Sequence, residues 1–193
     1  MRRSRDTSHS REARPHVLLL TGPPGVGKTT VIRRVAAQLE GKRLRGFYTE
    51  EIREGGDRRG FRLVSFDGKE NVIAHVAVPK AQRVGKYGVD VTALDEAASL
   101  LVPDPAAQPY LVDEIGKMEC LSERFVAAMR GLLAGQTPVV ATVGLRGGGF
   151  IAEVKRSKEC LLWEVTVANR DELPSRLVSW LAETAPPAQH GPA

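Results

Sequence analysis

A glycine-rich segment near the start of the chain carries residues whose types and spacing predict phosphate chemistry. It reads Gly22-Pro23-Pro24-Gly25-Val26-Gly27-Lys28-Thr29-Thr30, which matches the pattern G-x-x-x-x-G-K-[ST]. Glycines let backbone N–H groups turn inward around a β-phosphate, Lys28 would bridge the β- and γ-phosphates, and the Thr29 hydroxyl would bind Mg²⁺. The segment therefore predicts a nucleotide-binding loop. The alternative is a glycine-rich turn that only begins a helix.

A pair of carboxylates follows an apolar run further along the chain. Asp113 and Glu114 come directly after Tyr110-Leu111-Val112. A phosphate loop needs a second carboxylate to hold Mg²⁺ through water, and Asp113 is the candidate for this Walker B position. Glu114 could orient and deprotonate an attacking water, provided that it lies within hydrogen-bond reach of that water. The alternative is that both residues are solvated charges at the end of a strand.

Two elements have to position the predicted loop. The apolar run 16–21 ends at glycine and proline, which predicts a strand buried on both faces. Residues 28–40 have apolar side chains at helical spacing and stop at Gly41, which predicts a helix. The glycine-rich segment lies between them, where a phosphate loop requires it to lie.

The rest of the pattern alternates strands with helices. Thr92 and Ser122 are the predicted N-caps of two of the helices. Alternation of this kind predicts an α/β fold with a parallel sheet covered by helices on both faces. Further strands are predicted at 47–52 and 61–66, which form a hairpin, and at 71–78, 109–112, 137–143 and 161–167; further helices are predicted at 92–102, 122–134, 150–156 and 170–183.

The length and the net charge of the chain limit its domain organisation and the kind of partner that it can have. The 193 residues include 28 Lys or Arg and 23 Asp or Glu, for a net charge of +5, and 42% are hydrophobic. Residues 1–14 hold five of the arginines against two carboxylates, so we expect a disordered basic tail, a folded domain at 15–184 and a second disordered tail at 185–193. Because the excess charge is mostly in a tail without aromatic residues, the sequence does not indicate a nucleic-acid partner.

Cysteine, histidine and apolar patterning exclude other classes. Cys120 and Cys160 are forty positions apart, and the four histidines are scattered, so neither a disulfide framework nor a zinc site is indicated. No apolar run approaches the roughly 18 residues of a membrane span. We expect a soluble protein of the cytoplasm that has no membrane partner and is a monomer by default.

Five segments together resemble a known family. They occur in one order and look like the cancer-related nucleoside-triphosphatase family, small P-loop NTPases of archaea, bacteria and animals, and the similarity runs from about residue 16 to residue 183. The acidic DEIGKME element is the most specific of them. The segments are GPPGVGKTT at 22–30, a hairpin at 46–61, RVGKYGVDV at 83–91, DEIGKMEC at 113–120 and VTVANRDEL at 165–173.

The resemblance implies a fold and an activity. The implied fold is a P-loop NTPase, a RecA-like three-layer sandwich with a mostly parallel central sheet and an inserted β-hairpin. The implied activity is Mg²⁺-dependent hydrolysis of ATP, GTP and other nucleoside triphosphates to diphosphate and phosphate, with loose base selectivity. When the roles known for the family are assigned to the matching positions of this chain, residues 22–29 bind phosphates, Asp113 binds the metal and Glu114 activates the attacking water. The chain departs from some members after residue 143, where it has the glycine-rich run 144–149.

Four further residues are weaker candidates for the nucleotide site. Arg83 and Arg146 could place positive charge on the transition state, or could be solvated loop charges. Arg170 could stack on the base, and Asn169 could either contact the nucleotide or cap a helix. The run Asn169-Arg170-Asp171 lacks the spacer of the guanine reader N-K-x-D, which agrees with loose base selectivity.

Two other functions remain open from the residues. A nucleoside or nucleotide kinase would need an acceptor pocket and an arginine-rich lid. A nucleic-acid- or partner-activated ATPase switch would hydrolyse slowly until its partner binds. Glu114 directly after Asp113 favours the stand-alone hydrolase.

Overall fold

The structure, a computed structural model, describes residues 15–79, 81–104 and 106–184. The two predicted tails, 1–14 and 185–193, lie outside the described residues. The α-helices are Lys28–Gln38 (α1), Val91–Ala97 (α2), Glu123–Leu133 (α3), Gly149–Arg156 (α4) and Leu173–Thr184 (α5), with 3₁₀ turns at Ala98–Leu101 and Glu119–Leu121. The strands are Val17–Thr21 (β1), Arg45–Glu54 (β2), Asp57–Ser65 (β3), Glu70–His75 (β4), Arg83–Val84 (β5), Tyr87–Val89 (β6), Tyr110–Ile115 (β7), Val139–Val143 (β8) and Cys160–Glu164 (β9).

All nine of these strands form one mixed sheet, in the order β5-β6-β4-β3-β2-β7-β8-β1-β9. The predicted parallel arrangement is correct for β2, β7, β8, β1 and β9. The other ladders are antiparallel, which corrects the prediction of a mostly parallel sheet. The reason is local: Gly55 and Gly56 both have positive φ and reverse the chain in two residues, so β3 must run back along β2.

Several predicted boundaries differ from the observed ones. Asp90 is the N-cap of α2, because its carboxylate accepts from the backbone N–H groups of Thr92 and Ala93; the prediction of Thr92 as the cap was wrong. Ser122 is confirmed as the N-cap of α3 and accepts from the N–H of Phe125 at 2.9 Å. Strand β4 ends at His75 instead of residue 78, and the short strands β5 and β6 were not predicted.

The core lies on both faces of the sheet. β1 shows this best, since Val17 and Leu19 face one apolar cluster while Leu18 and Leu20 face the other, and all four are fully buried. The first cluster is closed by α2, α3 and α4, and the second by α1 and α5. A strand covered on both faces carries a continuous apolar run, which is why 17–20 could be recognised as a buried strand.

In the described part of the chain, no helix is both long enough and apolar enough to span a bilayer.

Candidate active site

The glycine-rich loop connects the end of β1 to the start of α1, as predicted. Gly22, Gly25 and Gly27 have φ values of +155°, +77° and +110°, which other residues rarely adopt. A Cβ atom at Gly22 would lie 2.6 Å from the carbonyl oxygen of Val165. The loop therefore needs glycine at Gly22 for space as well as for backbone conformation. The helix that follows directs its N-terminal N–H groups toward the loop, a favourable environment for phosphate.

Asp113 is the centre of a cluster of threonine hydroxyls. The residue is 1% exposed, near the end of β7, and β8 lies between β7 and β1. Its Oδ2 accepts from Thr29 Oγ1 at 2.6 Å and from Thr49 Oγ1 at 3.3 Å, while its Oδ1 accepts from Thr142 Oγ1 at 2.5 Å. Hydroxyl donors around a buried carboxylate offset the cost of its burial and fix its direction. The fold thus brings Thr29 and Asp113 together from positions 84 residues apart.

Glu114 lies beside the lysine of the loop. Its Oε2 is 3.7 Å from Lys28 Nζ, which also donates to the carbonyl oxygen of Gly22 at 3.2 Å. Burial raises the pKa of the Glu114 carboxyl, the Lys28 charge lowers that pKa, and the charge of Asp113 raises it. The Glu114 side chain remains 34% exposed, against 10% for Lys28, so solvent reaches the carboxylate. The geometry places a partly accessible carboxylate directly at the loop.

A second glutamate, Glu119, is buried behind Glu114. Glycine at position 116 makes room for both, because a Cβ there would lie 2.7 Å from Glu119 Oε2 and 2.9 Å from Glu114 Oε1. Glu119 is 5% exposed, and burial raises its pKa to about 8, with the charges of Glu114 and Asp113 adding to the shift. Near pH 7 Glu119 is therefore protonated and can donate a hydrogen bond.

The raised pKa of Glu119 predicts a pH dependence of stability. Below pH 4.5, the ordinary value, the folded and unfolded chains both hold this proton. As the pH rises toward about 8, only the unfolded chain releases it, so the free energy of unfolding falls, by about 5 kcal/mol over this interval. Glu119→Gln keeps a neutral, hydrogen-bonding side chain, so this part of the pH dependence should disappear.

Denaturant unfolding between pH 5 and pH 9 in EDTA checks this prediction. The exposed Glu159→Gln serves as the control and should follow the wild-type curve. Parallel pH profiles for wild type and Glu119→Gln would contradict the assignment of the proton to Glu119.

The residues around Asp113 fit a hard divalent cation. Thr29 and Asp113 offer a hydroxyl and a carboxylate oxygen, the ligand types that Mg²⁺ prefers, and their 2.6 Å contact shows that both can reach one point. The described residues contain no cluster of three or more His, Cys, Asp or Glu side chains that could hold a metal. That agrees with a site completed by phosphate oxygens and water, which is the usual mode for Mg²⁺.

Arg170 and Asn169 lie next to the loop. Arg170 donates from a guanidinium nitrogen to the carbonyl oxygen of Val26 at 3.2 Å and passes over Gly27. Asn169 Oδ1 accepts from the N–H of Thr166 at 2.9 Å, and its side-chain amide donates to the Glu164 carbonyl at 2.9 Å. These bonds hold the Asn169 side chain against residues that precede it in the chain, and Arg170 is positioned at the edge of the candidate site.

The two other arginine candidates lie in different parts of the sheet. Arg83 lies in β5, an edge strand separated from β1 by six strands, and donates to the Lys86 carbonyl oxygen at 2.7 Å. Arg146 is exposed in the glycine-rich segment after β8. That segment begins at the same edge of the sheet as the phosphate loop, and Lys155 Nζ holds it by donating to the Leu145 carbonyl at 2.8 Å.

Thr142, Glu119 and Thr49 were not among the residues predicted for the nucleotide site. A hydroxyl residue within the apolar run of β8 was the available signal for Thr142. Glu119 had no comparable signal, because nothing in its neighbours indicates that a glutamate there is buried. Its role depends on the 3₁₀ turn that folds residues 119–121 back under β7.

The sequence of this chain is similar to those of known nucleoside-triphosphatases. A model of the family described as NTPase matches residues 17–178. Nucleoside-triphosphatase THEP1 of Thermotoga maritima is 37% identical over 166 residues, covering 85% of this chain and 94% of that protein. The human protein called cancer-related nucleoside-triphosphatase is 35% identical over 173 residues, covering 81% of this chain and 91% of that protein.

Solved structures extend the comparison to the fold. The crystal structure of THEP1 from Aquifex aeolicus superposes with a TM-score of 0.78 at 34% identity, covering 85% of this chain and 98% of that one. The solution structure of a human cancer-related nucleoside triphosphatase gives a TM-score of 0.75 at 34% identity, covering 90% and 100% of the two chains. The resemblance inferred from the motifs is therefore confirmed, the fold is of the P-loop NTPase type, and the chain belongs to the cancer-related nucleoside-triphosphatase family.

Proposed function

We propose that this chain is a Mg²⁺-dependent hydrolase that converts ATP, GTP and other nucleoside triphosphates to diphosphate and phosphate. One observation carries the proposal: Lys28 and Thr29 of the loop meet Glu114 and Asp113 of β7 at one edge of the sheet, at 3.7 Å and 2.6 Å respectively. The names of the relatives, nucleoside-triphosphatases, support the same class of reaction. The chain is accordingly an enzyme of the NTP-hydrolase class.

Substrate binding begins at the loop. Residues 22–30 surround the β- and γ-phosphates with backbone N–H groups, and Lys28 moves from the Glu114 carboxylate to the phosphate oxygens. Thr29 and Asp113 would hold the cation, Asp113 through water. When bound, the cation would supply positive charge that stabilises the negative charge developing in the transition state. The arrangement leaves Glu114 without its lysine partner at the moment that substrate is bound.

Glu114 then acts on water. Lys28 reaches Glu114 in the free protein, at 3.7 Å, and the β- and γ-phosphates in the complex, so Glu114 and the γ-phosphate both lie within the reach of this one side chain. From there Glu114 can orient a water molecule in line with the β–γ bond and accept its proton at a carboxylate oxygen. The O–P bond to the γ-phosphorus forms, the β–γ bridging bond breaks, and the diphosphate carries the electron pair away.

Thr142 provides a test of how Asp113 is held. Its hydroxyl donates to Oδ1 at 2.5 Å, while Oδ2 faces the loop and accepts from Thr29 at 2.6 Å. Thr142→Val keeps the shape of the side chain but removes this donor, so we expect about a tenfold loss of Mg²⁺ affinity. The measurement is phosphate release as a function of Mg²⁺ concentration at saturating nucleotide. Thr184→Val, at the end of α5, is the matched control; an unchanged Mg²⁺ dependence in Thr142→Val would show that the contact does not tune the metal site.

Base selectivity is proposed to be loose. Asn169 is occupied by hydrogen bonds to Thr166 and Glu164, which supports a site without a dedicated base reader. Arg170 at the loop edge offers a flat cation on which any base can stack. Comparable turnover of purine and pyrimidine nucleotides is the expected result.

Phosphate release from ATP, GTP, CTP and UTP with Mg²⁺ and no acceptor tests the function. Release from several nucleotides supports the hydrolase. Release only after an acceptor nucleoside or nucleotide is added would support a kinase, and release only with RNA or DNA would support the partner-activated switch. Omission of Mg²⁺ should abolish release from every nucleotide.

The proposal also covers the fold type, the oligomeric state and the cell compartment. The RecA-like description, with β2 and β3 as an inserted hairpin, is supported by β8 lying between the strands of the loop and of Asp113. We propose a monomer in the cytoplasm without a nucleic-acid or membrane partner. The free thiols of Cys120 and Cys160 are consistent with a reducing compartment.

A further inference from the structure

Glu119 is a buried carboxyl without a part in the proposed hydrolytic steps. Its side chain is 5% exposed, and the charges that act on it, those of Glu114 and Asp113, are both negative. Other buried polar side chains have a clear structural task, since Ser122 caps α3 and Thr142 donates to Asp113. A carboxyl is costly to bury, so the position of Glu119 calls for a physical reason of its own.

The backbone turn after β7 brings Glu119 against Glu114. The N–H of Cys120 donates to the carbonyl oxygen of Gly116 at 3.1 Å, which closes the turn and returns the chain to the end of the strand. The two carboxyl groups meet at this glycine, because Glu119 Oε2 and Glu114 Oε1 lie 2.7 Å and 2.9 Å from the point that a Cβ atom would occupy there. Both oxygens are therefore within 3 Å of one point.

The two carboxylate oxygens of Glu114 have different surroundings. Oε2 is 3.7 Å from Lys28 Nζ, whereas Oε1 lies on the Gly116 side, where Glu119 is buried. Asp113 shows the same division, since a threonine of β8 donates to one of its oxygens and a threonine of the phosphate loop to the other. Each acidic residue of β7 is thus approached by one group from the loop and by another from the protein interior.

A protonated Glu119 provides a hydrogen-bond donor on the Oε1 side of Glu114. Burial raises the pKa of Glu119 to about 8, so the carboxyl keeps its O–H near pH 7. When substrate binds, Lys28 turns to the phosphates and the Glu114 carboxylate loses its cationic partner. Hydrogen bonds from an O–H group to a carboxylate are among the stronger ones in proteins, so this donor can take over from the lysine.

We propose that Glu119 is a positioning residue for hydrolysis, whose neutral carboxyl holds Glu114 through Oε1 once Lys28 has moved to the triphosphate. Glu114 Oε2 then stays directed at the attacking water. Glu119 acts only through Glu114 and touches neither the nucleotide nor the water. The inference rests on the proposed role of Glu114 as the proton acceptor.

Two substitutions separate the hydrogen bond from the shape of the side chain. Glu119→Gln keeps an amide donor at the same length, and Glu119→Met keeps the length without a donor. Glu159→Met, at an exposed position, is the matched control. Each is made in the full-length chain, and thermal unfolding establishes that it is folded. Single-turnover phosphate release measures the rate, and titration with a non-hydrolysable triphosphate measures affinity.

We expect Glu119→Met to lower the rate by about tenfold and to leave triphosphate affinity unchanged. Tenfold is the lower end of the loss found when a group that orients a metal ligand is removed. Glu119→Gln should retain most of the wild-type rate, and Glu159→Met all of it. In a Glu114→Gln background, Glu119→Met should cause no further loss, because its effect passes through Glu114. A merely structural role would lower the rate in both backgrounds.

Gly116→Ala is a second, independent perturbation. Its Cβ would have to displace the oxygens of Glu119 and Glu114, so we expect the same loss of rate with retained affinity. Gly131→Ala, where a Cβ meets nothing within 4 Å, is the control. A wild-type rate in Glu119→Met, or equal losses in both backgrounds, would overturn the role of Glu119 and leave the proposed function intact. Failure of the wild type to release phosphate would contradict the proposed function, and the role of Glu119 with it.

Discussion

Lys28→Ala is expected to reduce the turnover of ATP and GTP by about 1,000-fold. Lys28 supplies the positive charge that follows the β- and γ-phosphates into the transition state, and removal of one such group from a preorganised site costs about 10²–10³-fold in kcat. The side chain is only 10% exposed, so water cannot replace its charge efficiently. Because the lysine also binds the ground state, nucleotide affinity should fall as well.

Phosphate release under saturating Mg²⁺ measures the effect of Lys28→Ala, and calorimetric titration with a non-hydrolysable triphosphate measures affinity. Lys158→Ala changes an exposed lysine outside the site and should retain full turnover. Thermal unfolding of both variants establishes that they are folded. Turnover within a few-fold of wild type in a folded Lys28→Ala variant would contradict the placement of the triphosphate at this loop.

Glu114→Gln is expected to lower kcat by about 10²–10⁴-fold, the usual contribution of a general base. Glutamine keeps the size and hydrogen-bonding shape of the side chain but cannot accept the proton of water at neutral pH. Binding should survive, because substrate no longer competes with a carboxylate for Lys28, which lies 3.7 Å from Glu114 in the free protein. We therefore expect MgATP affinity equal to or slightly tighter than that of wild type.

The split between rate and affinity distinguishes this role from a structural one. Single-turnover phosphate release reports the chemical step, and titration with labelled nucleotide reports affinity. Glu159→Gln, an exposed glutamate, is the control and should match wild type in both. Full activity in Glu114→Gln would show that a group other than Glu114 accepts the proton of water. Loss of both rate and binding would show that Glu114 maintains the structure of the loop instead of acting on water.

The elements that carry the site could be predicted from local patterns. The apolar run at 17–20 became a fully buried strand, and the glycine-rich segment became the loop between that strand and α1. Ser122 was recognised as an N-cap from its residue type and position. Each of these depends on contacts within a few residues, where the period of apolar side chains and the conformational freedom of glycine decide the outcome.

Predictions failed where two neighbouring residues could both cap one helix, and where a strand is too short to be recognised without its partner. Thr92 is a good capping residue, yet Asp90 caps α2 because its carboxylate reaches two backbone N–H groups from the end of β6. The short strands β5 and β6 exist because β4 provides an edge for β6, and β6 one for β5. Neither strand is long enough to carry a periodic signal of its own.

Residue types and spacing alone were thus enough to identify the family, the loop and the two acidic positions that follow β7's apolar run. They could not show that Thr142 and Thr49 converge on Asp113, or that Glu119 is buried beside Glu114. Those features join residues from separate strands and turns, up to 64 positions apart for Thr49 and Asp113. Burial, pKa and pairing arise only when packing removes water from groups that are distant in the chain, so they belong to the folded structure.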